Sequence, residues 1–480
     1  MPLASSTGAN VVRSWSVRDK ALCEAAAVGA STGSPARKRG AGASLLDEVK
    51  SVFLPVGYPE SVRPEYLRFQ AFDTLQAACS YLRGVLTTSA MLRGAGVGSD
   101  AASPMAAALV WTLRDGVGMF GSLLFSYLVG AQFDVNVKEW RLFADLINDI
   151  GLTLDMLAPL AGPTGFVWVA AVGAACKTVC GMTAGATRAS ITAHFALANN
   201  LADVSAKENA QETAVTLVGL VAGSGLAQLL GDSEATAWLA FLVLTATHVW
   251  ANWLGVGCLA LDYINPQRAH LLSAAWWSMW SMAGPASTLA AHQSVSESQA
   301  WERLAPVRIA AHERVWRPLQ LWRAGPRLGV GVGALIDAGA PDGGAAQLAA
   351  LLEVYGAENY LLRLDRRGVA QIALRPTASG ETALKALLHA AALSAPPQGP
   401  QGRAGPTHRS AHRPAAPFED SPPPTGLGAD ERSALEEAMR RCDAAWPDFK
   451  ARLLAVGWQE AALRLEHCCG PVRVRVAGAD

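Results

Sequence analysis

Charge is what this chain has least of. Asp, Glu, Lys and Arg make up 17% of its 480 residues, against roughly a quarter in an ordinary soluble domain. The 40 basic and 40 acidic residues cancel, so no global field recruits nucleic acid or an acidic partner. No apolar core of signal-peptide length stands before residue 43, which argues against secretion. The eight cysteines include no CxxC and no Cys/His set at zinc spacing, so no metal is expected and a reducing, intracellular setting is favoured. Catalytic signatures are equally scarce. Ser190 and Thr192 lack a G-x-S-x-G context. His194 and His248 stand apart from each other and from cysteine. Gly116-Val-Gly-Met-Phe-Gly121 matches G-x-G-x-x-G, but helical Ala106–Leu113 precedes it where a nucleotide fold needs a strand. Close helix approach explains those glycines better. No enzyme is expected.

Apolar residues, in contrast, make up 51% of the chain, and mean hydropathy is +0.20. Charges gather at the two ends and around 302–327, so the middle is more apolar than the average. Residues 1–43 are rich in Ala, Ser and Gly with an excess of basic side chains; a disordered tail and an organelle-targeting segment both fit. From Tyr66 the apolar residues follow three-and-four spacing, predicting an amphipathic helix of eight turns that ends at Gly94 or Gly96. Thr213–Gly231 and Ala235–Leu261 reach the length needed to cross a bilayer. Trp238, Trp250 and Trp253 suit interfacial anchors. Ala269–Ala291, with Trp276, Trp277 and Trp280, fits either an interfacial or a spanning helix. Three to five membrane segments are expected, the competing reading being a soluble bundle with buried helices. Arg303, Arg308, Arg314, Arg317, Arg323 and Arg327 put the following end on the cytosolic or stromal side. Beyond lie a helix over Ala345–Tyr355, a strand-turn-strand over Tyr360–Leu374, and helices over Thr382–Leu393 and Glu431–Val456. Two short strands are expected within Ala461–Val476. The Pro/Gly-rich run 395–430 reads as a disordered linker. The fold class is therefore mainly α: a multi-helix membrane-associated bundle over 44–325, then a small α+β module over 326–394 that residues 431–480 complete.

Ionic groups inside the apolar region are the candidate site. Arg141, Asp145 and Asp149 recur every four residues and form one stripe. An unpaired charge at mid-membrane costs roughly 2.5–3.5 kcal/mol on insertion scales, so such groups must pair or line a wet cavity. Arg114 and Asp115 are sequence neighbours and each needs a partner elsewhere. We expect Arg114 to meet Asp145 or Asp149, and Lys177 or Arg188 to meet Asp115 or Asp203. Ser205 and Glu208 stand in capping-box spacing, predicting a helix start near Ala206, with Lys207 and Gln211 on one face. The intramembrane polar cluster put forward as a binding site is Arg114, Asp115, Arg141, Asp145, Asp149, Lys177, Arg188, His194, Asp203 and Lys207. Pairs that only hold the bundle together are the bland alternative.

Several ordered stretches then carry a resemblance: FLPVGYPESVRPEYLRFQAFDTLQ, WTLRDGVGMFG, KEWRLFADLIND, GATRASITAHFALANNLADVSAKENAQET and LTATHVWANWLGV. Together they resemble the Root UVB Sensitive family over about residues 46–325. The family tends to have a Tyr after the residue matching Asn252, and an Arg four positions later; Trp253 and Gly257 stand there instead. The resemblance implies a multi-helix membrane protein, plastid-located in some members, acting in ultraviolet-B response, early development and vitamin B6 balance. It supplies no reaction. Lys177 or Lys207 next to pyridoxal phosphate is the cofactor arrangement the B6 link suggests, and no covalent site is expected. Expected partners are a lipid membrane, a second family member or another copy in an oligomer, and a small anionic ligand; no nucleic acid is expected. A carrier for a small anionic metabolite is the alternative function.

Overall fold

The structure, a computed structural model, describes residues 3–7, 11–18, 21–25, 45–95, 104–129, 133–231, 233–283, 301–315, 325–337, 339, 342–395, 427–459 and 465. The chain divides into two compact units, Met1–Arg63 with Phe195–Thr213, and Pro64–His194 with Ala214–Asp480.

In the first unit, strands β1 (Leu3–Thr7), β2 (Val11–Arg18) and β3 (Ala21–Ala25) form an antiparallel sheet with β2 central. Part of the segment expected to be disordered or targeting is thus paired; β1 and β3 are short and lack the alternation that sequence patterns detect, while β2 carries it over Ser14–Arg18. Helix α1 (Leu45–Phe53) follows, with Asp47 and Glu48 in its first turn and Lys50 in its last, both charges suiting the helix dipole. The chain after α1 is tied to residues 195–213. Val62 bridges Ala196, and Leu197 N–H donates to the Ser61 carbonyl over 3.3 Å.

In the second unit, α2 (Tyr66–Gly94) has the length its spacing predicts. Then come α3 (Pro104–Val129), α4 (Val137–Leu157), a 3-10 turn over Ala158–Ala161 and α5 (Gly162–Phe195). Helix α6 (Leu201–Leu230) starts in the first unit and continues into the second. It begins at Leu201, five residues before the capping-box expectation. Val204 N–H already bonds the Asn200 carbonyl over 3.0 Å, so Ser205 and Glu208 fall inside the helix. Helix α7 (Glu234–Cys258) opens on Ser233, whose hydroxyl accepts from Thr236 N–H. Residues Thr164–Phe195, Leu201–Leu230 and Glu234–Cys258 are long and apolar enough to cross a membrane. Outward-facing Phe120, Leu123 and Tyr127 on α3 and Leu217, Val221 and Leu229 on α6 are exposed.

Helix α8 (Pro266–Ala283) corrects an expectation. It is not among the helices long and apolar enough to span, and its Trp276 and Trp277 are not free for lipid contact: both are buried, in one core with Leu304, Tyr355, Tyr360, Leu388 and Phe449. The C-terminal module therefore recruits residues from before 326. Its other elements are the short helix α9 (Pro306–Ala310), α10 (Ala345–Val354), α11 (Gly380–Ser394) and α12 (Ala429–Ala455). Its sheet runs in the order β4 (Arg327–Leu328), β6 (Ala370–Leu374), β5 (Tyr360–Leu364). The β5–β6 pair is antiparallel, with Tyr360 opposite Leu374. Its turn closes because Asp365 Oδ1 accepts the N–H groups of Arg367 and Val369, and Gly368 supplies φ of +75°. β4 joins β6 in parallel, too short a strand for the sequence pattern to show. The expected linker lies mostly outside the described residues, as do the strands expected within 461–476 except for the buried Leu465.

Candidate functional site

Helices α2, α4 and α7 meet along the stripe of carboxylates on α4. Arg83, from the middle of α2, is fully buried, and its Nη1 lies 2.5 Å from Asp149 Oδ1. The same nitrogen donates to Thr245 Oγ1 over 3.3 Å, and that hydroxyl donates on to the Phe241 carbonyl over 2.8 Å. His248, also buried, brings Nδ1 to 3.1 Å from Asp149 Oδ1. Arg83 Nε and Nη2 and His248 Nε2 find no hydrogen-bond partner among the described residues.

A turn earlier on α4 the pattern repeats with different groups. Asp145 accepts from Asn252 Nδ2 and lies 3.4 Å from Arg141 Nε. Arg141 Nη2 reaches Asp73 Oδ1 at 3.0 Å. Asp73 is a third exposed and forms the rim. Asn148 Nδ2 donates to Ser80 Oγ over 3.4 Å. Spacing of four on α4 and on α7, His248 with Asn252, stacks the two layers one helical turn apart.

The other expected residues lie elsewhere. Arg114 does not reach Asp145 or Asp149. Its guanidinium covers the Trp111 ring at 5.1 Å and its Nε lies 3.5 Å from Asp115 Oδ1, because extended side chains meet where helix faces alone do not. Lys177 pairs with Asp155 rather than with Asp115 or Asp203. That pair sits where α4 crosses α5 at Gly151 and Gly173; a Cβ on Gly151 would lie 2.9 Å from the Gly173 carbonyl oxygen. Arg188 lies farther along α5. His194 Nε2 lies 2.8 Å from Glu65 Oε1, and Nδ1 lies 3.7 Å from Asp262 Oδ1. Asp203 and Lys207 bind backbone: Asp203 Oδ2 accepts from Val56 N–H over 2.7 Å, and Lys207 Nζ donates to the Ser51 carbonyl over 2.6 Å. Gln211 Nε2 does the same for the Phe53 carbonyl at 2.6 Å.

Sequence reasoning overlooked Arg83. Its signal is a lone cation between Leu82 and Val85 on a helix whose apolar residues otherwise set the pattern. It also overlooked a second interior cluster, in which Glu313 takes both Lys138 and Arg268. The Arg268 guanidinium covers the Tyr263 ring at 4.5 Å. Burial alone would raise the Glu313 carboxyl, but Arg268 and Lys138 outweigh it and hold it below the usual range. A separate cavity of about 340 Å³ is bounded by Arg93, Met156, Phe166, Glu234 and Trp238, among others. Among the described residues no group of three or more His, Cys, Asp or Glu side chains is placed to hold a metal ion.

Two segments of this chain match known families. Residues 40–279 match the Vitamin B6 photo-protection and homoeostasis domain, and residues 302–467 match the C-terminal domain of Root UVB sensitive proteins. The chain belongs to the Root UVB sensitive family. It is 44% identical over 224 residues to Protein root UVB sensitive 3 of Arabidopsis thaliana, covering 47% of this chain and 51% of that protein. It is 41% identical over 223 residues to RUS family member 1 of Dictyostelium discoideum, covering 46% and 42%. Against Protein root UVB sensitive 2, chloroplastic, of Arabidopsis thaliana it is 34% identical over 230 residues, covering 48% and 52%. The chain spans about half the length of these relatives. No solved structure matches it. The Arg83–Asp149–His248 layer falls inside the first Root UVB sensitive segment, and Glu313 inside the second.

Proposed function

We propose that this Root UVB sensitive protein is a membrane-embedded protein of ultraviolet-B response, early development and vitamin B6 balance, working through a small anionic ligand or a protein partner bound at its polar interior. The observation that carries the reading is the inversion of polarity. Arg83, Asp149 and His248 are buried between helices, while large apolar side chains of α3, α6 and α7 face outward. In water that arrangement is costly, and in lipid it is the stable one. The description of the matched domain supports the B6 role, and the relative named chloroplastic supports a plastid membrane.

The test is fractionation. After an alkaline wash the full-length protein should sediment with membranes and leave them only in detergent. A compact, full-length protein in the detergent-free supernatant overturns the proposal.

Carriage of a small anionic metabolite is the second reading, favoured by Lys177 on a helix long enough to span. Vesicles containing the pure protein should then accumulate an organic anion, and no flux of any B6 vitamer or organic anion would count against it.

A further inference from the structure

We propose that Arg83 and His248 form a proton-coupled oxyanion site, which takes up one proton with each monoanion it binds, a carboxylate or a singly ionised phosphate monoester. The proposal rests on the ligand-binding reading above and gives it a place and a chemistry.

The unspent atoms of Arg83 make the first argument. Its Nη1 holds both Asp149 and Thr245. Its Nε and Nη2, both buried, are left without a protein partner. Those two nitrogens form one edge of the guanidinium, with two parallel N–H vectors. That edge matches the two oxygens of a carboxylate or phosphate. Thus Asp149 neutralises the arginine end-on and leaves its bidentate edge unspent. An enclosed donor without an acceptor carries the full desolvation penalty, about 1–3 kcal/mol and more for a charged group. An oxyanion removes it.

Charge balance supplies the proton. The groups that face the site are Asp73, Cys79 and Arg83 from α2, Arg141, Asp145 and Asp149 from α4, Cys180 from α5, and His248 from α7. Asp73 is rim-exposed. The two interior pairs, Arg83 with Asp149 and Arg141 with Asp145, carry no net charge between them, and Asp73, which also meets Arg141, reaches solvent. An arriving monoanion would leave one uncompensated negative charge among apolar helices, which is costly. His248 is placed to cancel it. Its Nδ1 faces Asp149, and its unpartnered Nε2 accepts a proton drawn from solvent. Imidazole is the side chain that makes this exchange near neutral pH. Anion and proton therefore enter as a neutral pair, and neither binds well alone.

The experiment is calorimetric titration of the full-length protein in detergent. The probes are acetate, whose charge is constant above about pH 6, and pyridoxine 5′-phosphate, a phosphate ester without an aldehyde to react with lysine. Buffers of different ionisation enthalpy report the proton. Acetate binding should consume one proton per anion, and its affinity should rise as pH is lowered, by up to about tenfold per unit; the phosphate ester, a dianion above about pH 6, takes up a further proton of its own. A preference for one probe tells carboxylate from phosphate ester. Arg83→Lys keeps a charge for Asp149 but lacks the fork, and should weaken binding about tenfold or more. His248→Gln keeps an N–H for Asp149 and should bind without proton uptake. Binding that is unchanged in both variants, or acetate binding still proton-linked in His248→Gln, overturns the site while leaving ligand binding intact. Folded wild-type protein that binds neither probe overturns the site and the anionic-ligand reading together.

Discussion

The indole Nε1–H of Trp277 donates to the backbone carbonyl of Leu388 over 2.9 Å, joining α8 to α11. The Arg441 guanidinium covers the same indole at 4.9 Å. A helix from the first family segment is thus built into the core of the second. Trp277→Phe should cost about 1 kcal/mol for the hydrogen bond, and Trp277→Ala about 3–5 kcal/mol with its cavity. Denaturant unfolding followed by circular dichroism measures both. Equal midpoints for wild type and Trp277→Ala would show that the segments fold separately.

The Arg83–Asp149 pair is tested by removing one charge and then both. Arg83→Met alone leaves Asp149 buried and short of a cation, and should destabilise by about 3–5 kcal/mol. Arg83→Met with Asp149→Asn should recover most of that, because the Asn amide still serves His248. A double mutant no more stable than the single one speaks against the pairing.

The crossing of α4 and α5 depends on two absent side chains. A Cβ on Gly151 would press on backbone, on Gly173 oxygen at 2.9 Å. Overpacking of this kind costs about 1–3 kcal/mol. Gly151→Ala should therefore lower the melting temperature, and Gly116→Ala, with open space around it, should not. Equal melting temperatures for the two variants contradict the close crossing.

A histidine in the C-terminal module sets an acid limit. His389 is buried; its Nδ1 lies 3.1 Å from Tyr360 Oη and its Nε2 3.3 Å from the Leu435 carbonyl. Burial pushes it down to about 4 from 6.5. The unfolded chain therefore takes the proton first, and stability is lost as pH falls from about 6.5 to about 4, by about 3 kcal/mol in all. Above that window His389 contributes no slope. His389→Gln should flatten this part of the stability–pH curve, whatever it does to the plateau. An unaltered slope in the variant would assign the acid sensitivity to other groups.

Local pattern carried much of the fold. The spacing from Tyr66 to Gly94, the turn at Asp365–Gly368 and the stripe Arg141, Asp145, Asp149 were all legible, because each depends on residues a few positions apart. What the stripe meets was not. Arg83 is 66 residues from Asp149 and His248 is 99, and no short-range signal encodes that choice. The Ser205/Glu208 spacing misled because S-x-x-E also arises inside helices, and Asn200 had already started this one. The packing of Trp276 and Trp277 was not legible for a different reason: indoles suit a membrane interface and a protein core equally well. The side chains of α11 and α12 that complete their core arrive long after α8 in the chain.

The outer rows of α3 and α6 have a consequence for the cell. Tyr127 is 87% exposed and Leu229 84%, and side chains this greasy do not stay bare in water. In the membrane-embedded reading proposed above, hydrocarbon covers them as the polypeptide emerges. Copies made faster than that cover becomes available stick to one another or are degraded, so abundance follows the supply of an insertion site as much as the rate of synthesis.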